Sequence, residues 1–331
     1  MKINIQHWFF IIGIISSCTN LSPPIPENLN SLVSELSASS ISVRYSFIKS
    51  SQDTDSRVYS IDIVNPKIQD IKTDEMSQMF ASKVFDFIWD AIEQLDTSVT
   101  RVDIILKMNS SEIAIKTPIE EVYSLRGNKM EVEGNYKEAL KLYTKSIALQ
   151  PTNAIAYAQR GGVYFHLGEF DNAIQDLEKA INYKPNDKHI INNLGVVFYT
   201  IEDYKTAEKI YYKSLEIDSS FLPAYAELGK VYYRQKLFDK AIEFFNKSLI
   251  YNNLIWKVWL SKSYIGKNEL DSAGIILNEV IKEDSLFGDA YRVRGLMFLK
   301  QNKNERACIE FQKALDLGDI LAKEEIEINC R

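Results

Sequence analysis

Between Ile41 and Thr117, apolar and polar residues alternate with a period of two, interrupted once by a helical stripe. Ile41, Val43, Tyr45 and Phe47 alternate with Ser42, Arg44 and Ser46, and Tyr59, Ile61 and Ile63 alternate with Ser60 and Asp62. Val102, Ile104 and Leu106 repeat the pattern, as do Ile113 and Ile115 after Asn109, Ser110 and Ser111. Alternation of this kind puts the apolar side chains on one face of a half-buried strand, so four strands are predicted. Met76, Phe80, Val84, Ile88, Ala91 and Leu95 recur at helical spacing instead, behind a capping Thr73 and the acidic Asp74 and Glu75, which suit a helix N-terminus. The order β, β, α, β, β predicts a small α+β domain over 41–117.

After Pro118 the period changes, and the chain becomes self-similar at longer range. Gly-Asn-Tyr-Lys-Glu-Ala at 134–139 and Gly-Glu-Phe-Asp-Asn-Ala at 168–173 align with a shift of 34, and the frame continues as units 120–153, 154–187, 188–221, 222–253, 254–287 and 288–321. Position eight of each unit is Gly127, Gly161, Gly195, Gly229, Ser261 and Gly295, and position twenty is Ala139, Ala173, Ala207, Ala241, Ala273 and Ala307. Small residues at these offsets let two helices cross closely. Position eleven is always bulky (Met130, Tyr164, Phe198, Tyr232, Tyr264, Phe298), as is position twenty-four (Tyr143, Leu177, Tyr211, Phe245, Leu277, Phe311). Pro151 and Pro185 end the second helix of the first two units.

These offsets resemble the tetratricopeptide repeat family. The resemblance implies a mainly α fold, a right-handed superhelix of about six helix-turn-helix repeats over 120–321, each burying its apolar face against its neighbours. Leu321, Ala322, Ile326 and Ile328 lie on a polar helix after Gly318, and 322–331 reads as a capping helix and tail. Cys308 lies in the last second helix, about 15 Å before the turn at Gly318, and Cys330 about 18 Å after it, at about 1.5 Å per residue. An antiparallel return brings the two together, which predicts a disulfide; the alternative is two unrelated thiols.

At the other end Lys2 precedes an apolar run from Trp8 to Ile15, too short to span a membrane at about 20 residues and shaped like a secretory leader over 1–17. Ile15-Ser16-Ser17-Cys18 resembles a bacterial lipobox, which implies acylation of Cys18. Residues 18–40 contain Pro23, Pro24 and Pro26 among Ser and Asn and read as a tether. The expected location is a bacterial envelope, lipid-anchored, with the outer membrane preferred because Thr19, rather than Asp, follows the Cys. Export places the two late cysteines where a disulfide persists.

Composition narrows the function. The 331 residues are 46% hydrophobic and 25% charged, enough for ordinary globular cores. The net charge of -6 argues against wrapping nucleic acid. Three Cys and three His, none at ligand spacing, predict no metal and no cofactor. GxSxG, HExxH, GxGxxG and GxxxxGK[ST] are all missing, and His166 and His189 read as surface side chains, so no enzyme is predicted.

The expected activity is binding a protein. In the family, positions two, five, nine, twelve and thirteen face a groove. Position twelve includes Phe165, Tyr199 and Tyr233 here, and around that row stand Asn192, Lys230, Arg234, Lys262, Arg292 and Lys300. An extended or helical partner segment with apolar anchors and acidic groups suits a face that is aromatic and locally basic, although the row can equally be structural. The clamp that family members use for chaperone carboxylates is matched only at Asn128 and Asn193; Ser124, Gln159, His189 and Glu227 stand elsewhere. The reading is a scaffold. Its rivals make the α+β domain a ligand-binding or catalytic unit whose client the repeats recruit, or fill the groove with the chain itself. Oligomeric state is not legible.

Overall fold

A computed structural model describes residues 40–49, 55–64, 99–108, 111–249 and 253–330; for 40–117 it describes backbone only. The expected leader, Cys18, most of the tether and the helix from Met76 to Leu95 lie outside the described residues. The chain divides into two compact units between Val163 and Tyr164.

In the first unit, strands β1 (Ser40–Lys49), β2 (Asp55–Val64), β3 (Val99–Met108) and β4 (Ser111–Pro118) form a sheet in that order. β1 and β2 pair antiparallel, β2 and β3 parallel, and β3 and β4 antiparallel. Each strand coincides with an alternating segment of the sequence. The register sets Val43 opposite Ile61, Ile61 opposite Ile104 and Ile104 opposite Ile115, so the apolar positions of all four strands fall in one row. Helix α1 (Ile119–Val132) follows β4 directly and packs against β3 and β4.

Twelve further helices are described: α2 (Tyr136–Leu149), α3 (Ala154–His166), α4 (Phe170–Tyr183), α5 (Lys188–Thr200), α6 (Tyr204–Ile217), α7 (Leu222–Arg234), α8 (Phe238–Ser248), α9 (Leu254–Lys267), α10 (Leu270–Glu283), α11 (Gly288–Lys300), α12 (Asn304–Asp316) and α13 (Ala322–Asn329). α1 pairs with α2, α5 with α6, α7 with α8, α9 with α10 and α11 with α12, as the repeat frame requires, and α13 packs on α12 in the capping position. All six position-twenty alanines are fully buried, and the six position-twenty-four side chains are no more than 2% exposed.

Local chemistry starts and stops the helices. Asn135, Asp187, Asp203 and Asn253 accept backbone N–H bonds at the starts of α2, α5, α6 and α9. Position fifteen, just past the first helix of each repeat, is left-handed in all six: Gly134, Gly168, Glu202, Lys236, Asn268 and Asn302 have φ between 58° and 76°. The next amide then bonds back to the carbonyl of position eleven, as from Asp203 to Phe198 at 2.9 Å and from Leu237 to Tyr232 at 2.9 Å. This is the helix-ending bond that a left-handed residue makes possible.

Cys308 on α12 and Cys330 after α13 are joined, with their Cα atoms 5.6 Å apart.

Candidate functional site

The second unit presents α5, α7, α9 and α11, the first helices of repeats three to six. The position-twelve row is half-buried rather than free. Phe165 packs on Phe170 at 6.0 Å, Tyr199 on Tyr204 at 5.7 Å and Tyr233 on Phe238 at 5.8 Å between ring centroids. Each pair joins the end of a first helix to the start of the second across the tight turn. The rings therefore brace their own repeats and offer only their remaining faces outward.

Tyr233 also meets Trp259 edge-on at 5.5 Å, and Trp259 stacks on the buried Phe245 at 6.4 Å. Lys262 lies over the Trp259 ring at 4.5 Å and Lys230 at 5.9 Å. Trp259 was not among the residues singled out from sequence, because it stands at position six of its repeat, outside the offsets that define the family groove. Its identity as one of only four Trp was the available signal.

Carboxylates offset part of the basic character expected of this face. Lys230 is paired with Glu227 at 2.7 Å, and Lys262 with Asp289 at 3.3 Å. Arg292 bonds Asp289 from its own first turn and Asp319 at 2.8 Å from the loop before α13. Arg234 donates to the Tyr199 hydroxyl at 3.2 Å, and Lys300 to the Ile265 carbonyl at 3.0 Å. The cations were legible as positions on a face. Their carboxylates were not, because Asp289 and Asp319 meet Arg292 only once the last repeat and the capping turn are stacked. Three of the five cations thus meet carboxylates, whereas Arg234 and Lys300 bond only neutral oxygens, so a positive excess remains on the face.

Burial pushes the Lys262 ammonium below its ordinary value, although Asp289 pulls the other way. Lys262 and Arg292 share Asp289, so removing the lysine leaves no carboxylate orphaned. Lys262→Met is therefore expected to change stability by less than about 1 kcal/mol. Denaturant midpoints of the two proteins check this; a loss above about 3 kcal/mol would mean that the ammonium anchors the network.

Asn192 is 8% exposed, and its Oδ1 is buried without a hydrogen-bond partner. His189 is exposed, lies edge-on to Phe221 at 4.9 Å and lines a shallow cavity of about 710 Å³ with Lys184, Lys188 and Asp218. Hydrogen bonds from Lys188 and Ser220 hold the Asp218 carboxyl below the usual carboxylate range. His166 is exposed as well. Among the described residues no group of three His, Cys, Asp or Glu is placed to hold a metal, and no helix is long and apolar enough to cross a membrane.

Family models described as TPR repeat and tetratricopeptide repeat match residues 133–168 and 161–202, and residues 189–221 and 222–252, respectively. A tetratricopeptide repeat protein from Parabacteroides merdae is similar in structure, with 19% identity, 78% of this chain and 97% of that chain covered, and a TM-score of 0.62. The Cut9–Hcn1 hetero-tetramer of APC/C is similar at 17% identity, with 64% of this chain and 43% of that chain covered and a TM-score of 0.57. Pseudomonas aeruginosa pilF is similar at 18% identity, with 63% and 96% covered and a TM-score of 0.53. No curated protein matches the chain. The repeating offsets, the left-handed turn at position fifteen, the matched models and the shared fold agree: residues 133–252 are tetratricopeptide repeats, and the helical array has the fold of that family.

Proposed function

We propose that the chain is a non-enzymatic scaffold that holds a segment of another protein against Phe165 at the end of α3 and the first helices of repeats three to six. Arrays of this family generally bind proteins, and the observation that carries the reading here is the half-buried aromatic ledge of Phe165, Tyr199, Tyr233 and Trp259. Rings braced from below lose little conformational freedom when a partner covers them, which is the usual character of a binding anchor.

The chain works at a bacterial envelope, attached through lipid on Cys18 and held off the bilayer by the tether. The leader-like run before Ser16-Ser17-Cys18 and the Pro-rich stretch after it support this part.

The test is crosslinking and pull-down from membranes with the wild type and with Phe165, Tyr199 and Tyr233 changed together to Ala, helix content being compared by circular dichroism. A specific partner that falls at least tenfold in yield with the variant is the expected result. An unchanged partner set from a folded variant removes the ledge from the reading. Labelling with radioactive palmitate that persists after Cys18→Ser would remove the proposed anchor.

A further inference from the structure

At positions two, five, nine, twelve and thirteen of repeats three to six stand five cations and a single acid, Asp289. Lys230, Lys262 and Arg292 meet carboxylates of Glu227, Asp289 and Asp319. The two cations at position thirteen do not. Arg234 is exposed and donates from Nε to the Tyr199 hydroxyl at 3.2 Å, with Tyr204 and Tyr233 close by. Lys300 is exposed too and donates from Nζ to the Ile265 carbonyl at 3.0 Å. The two contacts are the same device, each running from position thirteen to position twelve of the repeat before.

Neither bond uses up its cation. A guanidinium has five donors and an ammonium three, and a hydroxyl or carbonyl returns no negative charge. The Ile265 carbonyl already accepts from the Asn268 amide at 3.1 Å, so α9 ends without help from the lysine. What the bonds do is hold both charged heads against the neighbouring first helix, which places them before any partner arrives. Between them, position thirteen of repeat five is Gly266, and the half-buried Phe238 ring lies 2.3 Å from where its Cβ would stand. Phe238 packs in turn on Tyr233. Across three repeats the order is cation, ring, cation.

The spacing follows from the stack. α7 contacts α9, and α9 contacts α11. Packed helices lie about 8 to 10 Å apart, which sets the two cations about 16 to 20 Å apart. At about 3.3 Å for each extended residue, that gap takes about five or six residues.

We infer that Arg234 and Lys300 seat two carboxylates of an extended partner segment, about five or six residues apart, with an apolar side chain between them against Phe238. A basic segment meets two uncompensated charges of its own sign. A neutral one takes water from both cations and returns no charge. The chain carries a net -6, so the attraction for an acidic segment is a property of this face and not of the whole protein. The seats rest on the binding face proposed above and state the chemistry of what it takes.

The probe is a phage-displayed library of random dodecapeptides selected on the purified full chain, with affinities of the selected peptides measured by fluorescence anisotropy. Selected peptides are expected to carry two acidic residues about five or six apart around an apolar one. Their affinity should fall roughly three- to fivefold with Arg234→Gln or Lys300→Gln and at least about tenfold with both. Arg234→Glu should reverse the preference, so that a peptide with one of its acids changed to Lys binds this variant better than the original peptide does, which a merely structural arginine would not produce. Uncharged selected peptides, or affinity within roughly twofold for the double Gln variant alongside loss in the Phe165, Tyr199 and Tyr233 triple variant, overturn the carboxylate seats and leave the face standing. Equal binding after the residue order of a peptide is scrambled would show bulk attraction between charges and overturn the seats as well. Selected peptides indifferent to the triple variant, or no selected peptide at all, overturn both.

Discussion

Gly229→Ser is expected to lower the stability of the array by about 2 to 3 kcal/mol, and Phe245→Leu in the same chain to restore part of that loss. A Cβ at residue 229 would stand 2.8 Å from Phe245 Cε1 and 2.9 Å from both Cδ1 and Cζ, distances that real Cβ contacts do not show. The phenyl ring is fully buried beside Tyr211, Val231 and Trp259 and has nowhere to retreat, so α7 must lift from α8. The chain contains its own control. Where position twenty-four is aromatic, in Tyr143, Tyr211, Phe245 and Phe311, position eight is Gly; where it is Leu277, position eight is Ser261, buried and with its hydroxyl bonded to the Lys257 carbonyl at 3.0 Å.

The serine hydroxyl is therefore not the difficulty, because a helix supplies its acceptor from the preceding turn. The added carbon is. Phe245→Leu alone costs about 1 kcal/mol or more in lost burial, yet combined with Gly229→Ser it recreates the pairing of repeat five. The double variant should be more stable than the sum of the singles by about 1 to 2 kcal/mol. Chemical denaturation of the four proteins, fitted with a nearest-neighbour model suited to stacked repeats, measures the coupling. Additive losses, or a Gly229→Ser chain as stable as wild type, would refute the close approach.

Breaking the Cys308–Cys330 bridge has the second large effect. A crosslink spanning 22 residues restricts the unfolded chain by about 3 kcal/mol, and α13 has little else to hold it. Of its eight residues only Ala322 is buried, while Ile328 is 66% exposed and the preceding Leu321 58% exposed. The other tie is polar, the Asp319 carboxylate on Arg292. Cys308→Ser with Cys330→Ser, or reduction of the wild type, is therefore expected to release 322–329 first. Amide hydrogen exchange there should rise towards that of an unfolded segment while α5 to α10 stay protected. Reductant should not affect the double variant further. Two alkylatable thiols in the unreduced exported protein would show that the bridge does not form, and unchanged exchange in the double variant would show that the cap stands without it.

Legibility in the sequence followed how local each feature is. The alternating segments coincide with β1 to β4, and the offsets of small and bulky residues coincide with buried alanines and ring-filled crossings, because period and size report directly on which face is covered. Position fifteen was less transparent. Glu202 and Lys236 are poor left-handed residues, yet both adopt that conformation, because the bond back to position eleven and the stacking of the pair outweigh their preference. The candidate site was legible as a row of residues and illegible as a set of contacts. Phe165, Tyr199 and Tyr233 recur at one offset, but nothing in that offset says that each ring leans on the next helix. Trp259 stands outside the groove offsets, so its place beside Tyr233 is invisible in the repeat pattern.

Taken alone, the order of residues determined the repeat unit, its two helices, the size of what fits at each crossing and the antiparallel return that brings the two late cysteines within reach. These depend on periodicity and on side-chain volume within one or two turns, and a linear pattern carries both. Tertiary structure decided which charges neutralise one another, which rings are braced and which buried polar atoms stay unsatisfied. Those outcomes depend on distances of about 3 Å between residues up to 35 apart in the chain, and only the stacking of one repeat on the next sets such distances.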